Sequence, residues 1–336
     1  MTPSTPDNSG NSGDCGNSED PGESGNADIP GPGHQDNPDS ADNPWSDLER
    51  PPLNAGALRR ALIRPGGLWT VLDVVAATGS TNTDLVARAA DASAKRTDEG
   101  AGEGGSVGEG AVLIAEEQTA GRGRLDRRWS APPRSGLFFS VLLKPGEGVP
   151  AERWGWLPLL AGVAAAGALT RAAGVEVSLK WPNDLLAEVD GEERKIGGIL
   201  AERSGDGVVV GIGLNVSLKA DELPVPAAGS LALAGAAAAD RDPLLRAVLR
   251  SVEQWYADWR EADGDPRACG LQEAYTSACA TLGRSVRAEL PGGREVAGEA
   301  VAIDRDGRLV MATASGMQQP VAAGDIVHLR PAERGE

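Results

Sequence analysis

Only two of the 336 residues are histidine, His34 and His328, one near each end of the chain. That scarcity removes Ser–His and Cys–His nucleophile pairs and histidine-ligated zinc as organising chemistry. Cysteine is almost as rare. Cys15 stands in the N-terminal stretch, and Cys269 and Cys279 are ten positions apart, with neither metal-ligand spacing nor a disulfide framework. They read as buried thiols of a cytoplasmic protein. No basic segment followed by an apolar one opens the chain, so no export signal is expected. The longest apolar run, LPLLAGVAAAGAL at 157–169, is too short to span a bilayer and is followed by Arg171, so no membrane role is expected. G-x-x-x-x-G-K-[ST] is absent, which excludes a P-loop, and GIGLNV is not a dinucleotide fingerprint. An enzyme built from this chain must work with Arg, Lys, carboxylates and backbone amides.

Positive charge is also missing where the chain begins. Residues 1–49 hold eleven Asp and Glu and no Lys or Arg, among Ser, Asn, Gly and Pro. Such a stretch buries too little apolar surface to offset its ordering entropy, so 1–46 is expected to be a disordered acidic tail. It carries most of the net charge of −17. DASAKRTDEGAGEGGSVGEG, at 91–110, is expected to be a flexible insertion. Between and beyond these, the pattern predicts a helix within 47–63 and a strand at 70–78. A helix capped by Ser80 or Thr81 should follow, then the buried strands AVLIAEEQ and GLFFSVLLKP and an all-apolar helix at 157–173. VSLKWPNDLLAE, KIGGILAER and VVVGIGLNV read as a meander. Asp242 and Pro243 should open an amphipathic helix through Trp259, and another helix should run from Pro266 to near Gly283. From 285 to 329, short strands and tight turns such as PGG and DRDG predict a small SH3-like β-barrel. The expected fold class is therefore a mixed α/β (α+β) catalytic domain over 47–280 with a C-terminal SH3-like β-domain over 281–334.

QTAGRGRLDRRW, at 118–129, holds four arginines and two glycines in this acidic chain. A solvated basic loop would be the ordinary reading. However, the loop is anchored between two apolar strands, and Gly121 and Gly123 alternate with Arg122 and Arg124, so amides and guanidinium groups can turn toward one anion. Four further pieces accompany it. GSTN at 79–82 is a helix cap or a set of hydroxyl donors for a small polar ligand. KWPND at 180–184 is a tight turn, or a Lys and an Asp placed for a phosphate and a metal. KIGG at 195–198 puts Gly197 and Gly198 in a strand, where close approach of a ligand to the backbone is a reason to have them. GIGLN ends a buried strand on Asn215.

In this order, S-T-N, Q-x-x-G-R-G-R-x-x-R-x-W, K-W-P-N-D, K-x-G-G-I-L and G-I-G-x-N closely resemble the biotin–protein ligase family, over about 70–331. The family biotinylates carriers of acyl-CoA carboxylases. The resemblance implies a biotin–[biotin carboxyl carrier protein] ligase that joins biotin to ATP with Mg²⁺, retains biotinyl-5'-AMP and passes biotin to a carrier-domain lysine. It assigns Ser80, Thr81, Asn82, Gln118, Arg122, Gly123, Arg124, Lys195, Gly197 and Gly198 to biotin. The nucleotide falls to Arg122, Arg124, Trp129, Lys180, Asn183, Lys195 and Asn215. Lys195, Arg124 and Asp184 become the catalytic groups, with Asp184 also the magnesium carboxylate. The loop, and the stretch 217–229, would act as covers. Two departures stand out. The family often has glycine where Asp126 stands. Many relatives carry an N-terminal helix-turn-helix and repress transcription, whereas 1–46 is expected to form none and to repel phosphates, so no DNA partner is expected. The alternatives are a lipoate–protein ligase and a non-catalytic sensor or adaptor for biotinyl-adenylate.

Overall fold

The computed structural model describes residues 49–98, 107–290, 294–322 and 325–328. The tail at 1–46 and the centre of the 91–110 insertion lie outside the described residues. Helix α1 (Ala55–Leu62) leads into β1 (Val71–Val75), α2 (Thr81–Asp98) and β2 (Ala111–Ala115). A hairpin, β3 (Gly121–Arg122) and β4 (Arg128–Trp129), precedes β5 (Gly136–Leu143) and α3 (Trp156–Ala173). Then come β6 (Ser178–Lys180), β7 (Asp184–Val189), β8 (Glu192–Ser204), β9 (Gly207–Asn215), α4 (Arg241–Glu261) and α5 (Leu271–Ala278). The C-terminal strands are β10 (Ser285–Leu290), β11 (Arg294–Ile303), β12 (Leu309–Ala312), β13 (Gln318–Val321) and β14 (Asp325–His328).

Seven strands form one sheet in the order β1-β2-β5-β9-β8-β7-β6; only β1 and β2 run parallel. AVLIA and GLFFSVLL are buried along their whole length because the centre of the sheet is covered on both sides. Alternation sorts their side chains. Leu113, Leu142 and Val209 meet Leu85 and Ala89 of α2, while their neighbours Val112, Ile114, Val141 and Val210 join the main core with α3. The helical stretch Ala151–Ala173 is long and apolar enough to cross a bilayer, longer than the apolar run alone suggests. Yet 72% of that window is buried inside the fold, which makes it the central core helix.

Several boundaries differ from the sequence expectation. Helix α2 continues through Asp98, so the first part of the 91–110 stretch is helical. The cap of α4 is Asp240, whose carboxylate accepts from Asp242 N–H at 3.0 Å, and Pro243 falls later in the first turn, where its missing N–H still costs nothing. Helix α5 begins at Leu271, with turns from Pro266, so both cysteines flank it. The last five strands form a small antiparallel sheet, β13-β12-β11-β10-β14. Two buried tryptophans fasten this small domain. Trp156 Nε1 donates to Arg305 O at 2.8 Å and Trp181 Nε1 to Gly307 O at 3.0 Å.

Gly110 shows how tightly the sheet end is closed. Its φ is +78°, and a Cβ there would collide with the Leu68 carbonyl oxygen. Gly110→Ala is expected to cost more than about 1 kcal/mol, read as a lowered urea midpoint.

Candidate functional site

One cavity of about 550 Å³ opens on the α2 side of the sheet. Its floor is glycine. Gly198 on β8 and Gly211 and Gly213 on β9 leave the backbone bare, and the Trp129 indole lies across it, 3.2 Å from where a Cβ of Gly198 or Gly213 would be. Ser80, Thr81 and Asn82 reach the cavity from the start of α2, all three less than 6% exposed. Gln118 fixes Thr81, its Oε1 accepting the Thr81 N–H at 2.9 Å, while its Nε2 has no hydrogen-bond partner among the described residues. Ser140, on β5, was not singled out from the sequence. Its hydroxyl donates to Asn82 Oδ1 at 2.6 Å and lies 2.7 Å from Thr81 Oγ1, leaving it to accept from Thr81.

Lys195 enters through a β-bulge. Leu185 pairs with Gly197 and Leu186 with Lys195, so Ile196 is the extra residue on β8. The bulge places Lys195 on the same face as Gly198, and the Lys195 Nζ stands 2.5 Å from Asp184 Oδ1 and 5.6 Å from the Trp129 ring centre. The segment after β9 is seated on the same strand: Lys195 N–H donates to Ala227 O at 2.8 Å and Lys195 O accepts from Gly229 N–H at 2.9 Å. Pro224, Val225, Ala227 and Ala228 thereby form one wall. Asn215, 3% exposed, donates from Nδ2 to Gly229 O at 2.8 Å and pins the same wall from below.

The arginine loop is a hairpin. Gly121 pairs with Trp129 and Arg122 with Arg128, and Gly123 N–H donates to Arg127 O at 2.7 Å. Leu125 turns it with φ +55°, an uncommon conformation for a side chain of its size. Arg122 Nη1 donates to Glu202 at 2.9 Å, and Arg124 Nη1 to Asn183 Oδ1 at 3.2 Å. Asn183 sits in the turn of KWPND, after a cis Trp181–Pro182 bond, and its Nδ2 donates to Ile199 O at 3.2 Å. Two sequence segments far apart in the chain, the hairpin and β8, thus bring Arg122, Arg124 and Lys195 to one cavity.

Gly123, Trp129, Asn183, Asp184 and Asn215 line that cavity as well, but two expected residues do not. Gly197 lies beyond the bulge on the core face, where a Cβ would meet Leu214 and Leu185, so sheet packing and not a ligand requires that glycine. Lys180 ends β6 opposite Asp184, and its carbonyl closes the turn by accepting Asn183 N–H at 3.1 Å. Ser130 also lines the cavity and carries no signal in the sequence, whereas Arg127, Arg128 and the 224–228 wall belong to the loop and the 217–229 stretch expected as covers. Burial pushes both described thiols, Cys269 and Cys279, above their ordinary range, so neither supplies a thiolate near neutral pH. No cluster of three or more His, Cys, Asp or Glu fit to hold a metal occurs among the described residues.

A glycine-floored cavity flanked by a basic hairpin and a bulged lysine, on a mixed sheet with a small β-domain, defines an acid-activating ligase of the biotin and lipoate type. Residues 98–218 match the Biotin/lipoate A/B protein ligase family and residues 281–329 the Biotin protein ligase C terminal domain. The chain is 43% identical over 287 residues to a biotin–[acetyl-CoA-carboxylase] ligase of Mycobacterium tuberculosis, covering 84% of this chain and 98% of that one. It is 31% identical to the bifunctional ligase/repressor BirA of Escherichia coli, covering 68% and 70%. Among solved structures, the biotin protein ligase of Aquifex aeolicus in complex with biotin and ATP is similar, with a TM-score of 0.60 at 28% identity, covering 78% of this chain and all of that one. The chain belongs to the biotin–protein ligase family.

Proposed function

We infer that this protein activates biotin with ATP and transfers the biotinyl group to a lysine of the carrier domain of an acyl-CoA carboxylase. The observation that carries this reading is the convergence of Arg122, Arg124 and Lys195 on a cavity that also offers Ser80, Thr81 and Gln118. Hydroxyl and amide groups suit a neutral ureido ring. The cations suit a carboxylate meeting a phosphate.

In the first step a biotin carboxylate oxygen bonds to the α-phosphorus, the bond from that phosphorus to the β-phosphate bridging oxygen breaks, and pyrophosphate leaves. Two anions must approach, and each unit-charge pair at about 4 Å costs roughly 1 kcal/mol in water and several times more in a drier site. Lys195, between the two anions, and Arg124 offset that repulsion as charge grows on the α-phosphate. Arg122 holds the carboxylate, and Trp129 and Asn215 meet the adenine end. In the second step the carrier's lysine amine attacks the acyl carbon, AMP departs with the electron pair of the broken C–O bond, and the amine gives up its proton. No covalent link to the enzyme is needed, in keeping with the missing nucleophile–histidine pair. The hairpin and the 217–229 segment, facing each other over the cavity, would exclude water from the mixed anhydride.

Magnesium belongs to this reading as the partner of the nucleotide phosphates. Such an ion keeps most of its ligands from water and phosphate and needs only one or two carboxylates. Asp184 is the carboxylate lining the cavity, and only its Oδ1 is held by Lys195. When bound, the ion would neutralise phosphate charge. The use of ATP as substrate supports the expected cytoplasmic location.

Incubating the full chain with biotin, Mg-ATP and a carboxyl carrier domain is expected to add one biotinyl group to that domain, seen by mass spectrometry. Labelling by lipoate and not by biotin would replace the reading with a lipoate ligase. Biotinyl-adenylate binding without transfer would leave a sensor.

A further inference from the structure

Glu202 joins two parts of the site without lining the cavity. It sits on β8 on the face that carries Gly198 and Leu200. Its Oε2 accepts from Asn82 Nδ2 at 2.9 Å and its Oε1 from Arg122 Nη1 at 2.9 Å. The two donors live in different surroundings: Asn82 is 3% exposed, whereas the Arg122 side chain is 45% exposed.

Every hydrogen of the Asn82 amide is spent. The second Nδ2 hydrogen goes to Leu200 O at 3.0 Å, and Oδ1 takes the Ser140 hydroxyl. Gly211 supplies the space, since a Cβ there would collide with Asn82 Oδ1. Asn82 is thus a strut, held against β5, β8 and β9, with no side-chain N–H left to donate to a ligand. Arg122 is different. Its Nη1 serves Glu202, with Thr83 Oγ1 at 3.4 Å, and its other guanidinium N–H groups have no partner among the described residues. A guanidinium held by one edge keeps its remaining donors for a planar anion.

We propose that Glu202 is a positioning residue that locks Arg122 to the buried Ser140–Asn82 strut, so that the guanidinium meets the carboxylate of biotin in a preset orientation. The proposal rests on the biotin reading above. Without Glu202, a long and half-exposed side chain on a hairpin would have to be ordered by the ligand, and that entropy would be subtracted from binding. The carboxylate is therefore tuned to one end of the ligand only. The ureido end, served by Ser80, Thr81 and Gln118, does not depend on its charge.

The test is isothermal titration of the full chain with biotin and with biotinamide, in which a neutral carboxamide replaces the carboxylate. Glu202→Gln keeps an oxygen for Asn82 and turns an amide NH₂ toward Arg122, which removes both the charge and the acceptor on that side. It is expected to weaken biotin about tenfold, the scale of a hydrogen bond to a charged group, and to leave biotinamide within about twofold. Arg122→Ala, an exposed change that leaves the core alone, is expected to weaken biotin at least as much. The double variant should be no weaker than Arg122→Ala alone, because the two residues act as one unit. Equal losses for both ligands would mean that Glu202 merely supports the pocket, and tighter biotin in Glu202→Gln would mean that it competes with the ligand. Additive losses would mean that it acts apart from Arg122. Each of these overturns the proposal while leaving the biotin reading intact. A wild-type protein that binds neither ligand overturns the biotin reading and this inference with it.

Discussion

Lys195→Ala is expected to slow biotinyl-adenylate formation by about 10²–10³-fold, the scale on which a single transition-state donor acts. Its unfolding free energy should stay within about 1 kcal/mol of wild type, as for a partly exposed ion pair. The Lys195 side chain is 33% exposed and leaves behind an Asp184 that is itself reached by solvent, so little packing is lost. The loss should fall on kcat for adenylation, because the ammonium is needed most where negative charge gathers on the α-phosphate. Arg124→Ala should behave in the same way, with an added loosening of the hairpin, since Asn183 Oδ1 loses its guanidinium donor. Lys195→Arg is not expected to restore the rate. A planar fork cannot replace a compact ammonium on a bulged strand beside the Trp129 ring. Pyrophosphate release measured with biotin and ATP alone isolates this step from transfer. Near-normal rates in both alanine variants would remove Lys195 and Arg124 from the chemistry.

The same lysine shows what a linear sequence can and cannot disclose. Buried runs such as AVLIA and GLFFSVLL announce central strands, and a basic stretch strung between them marks a loop anchored beside the sheet. The order of short motifs then brings the segments that carry Thr81, Arg124, Asn183 and Lys195 into one reading, and these residues do share a cavity. Strand period alone would put Lys195 and Gly197 on one face. The extra residue at Ile196 reverses that, which is why Gly197 turned to the core and Gly198 to the cavity. No local signal reports a bulge of this kind. Ser140 looks like any small residue in an apolar strand until Asn82 is seated against it, from 58 positions away. Glu202 likewise reads as the polar end of a strand. Its two partners stand 120 and 80 positions earlier, so its meaning exists only in the folded chain. Cap chemistry was misjudged for a similar reason. Asp240 and Asp242 are both good caps by composition, and only the direction of the incoming chain decides that Asp240 accepts the N–H.

Arg241→Ala is expected to destabilise the protein by about 3–5 kcal/mol, the usual consequence of leaving one charge of a buried pair alone. Arg241 and Glu116 meet at 2.6 Å with side chains 6% and 10% exposed. The other Glu116 oxygen accepts Leu53 N–H at 2.6 Å, and Arg241 also donates to Pro51 O at 2.6 Å and to Gly136 O at 3.3 Å. One pair therefore ties the chain before α1 and the first turn of α4 to both ends of the segment that holds the hairpin. Glu116 stands two residues before Gln118, and Gly136 opens β5. Glu116→Ala should be about as damaging as Arg241→Ala, because a guanidinium is then stranded. The paired change Glu116→Leu with Arg241→Met should recover part of the loss and not all of it, since the Leu53 N–H and Pro51 carbonyl would still lack partners. Urea unfolding of the three variants reads these differences directly. Single variants within about 1 kcal/mol of wild type would show that solvent reaches the pair and that it carries no structural weight. If the pair acts as argued, biotin binding in Arg241→Ala should weaken even well below its unfolding midpoint, because Gln118 and the hairpin lose the support on which their placement over the cavity rests.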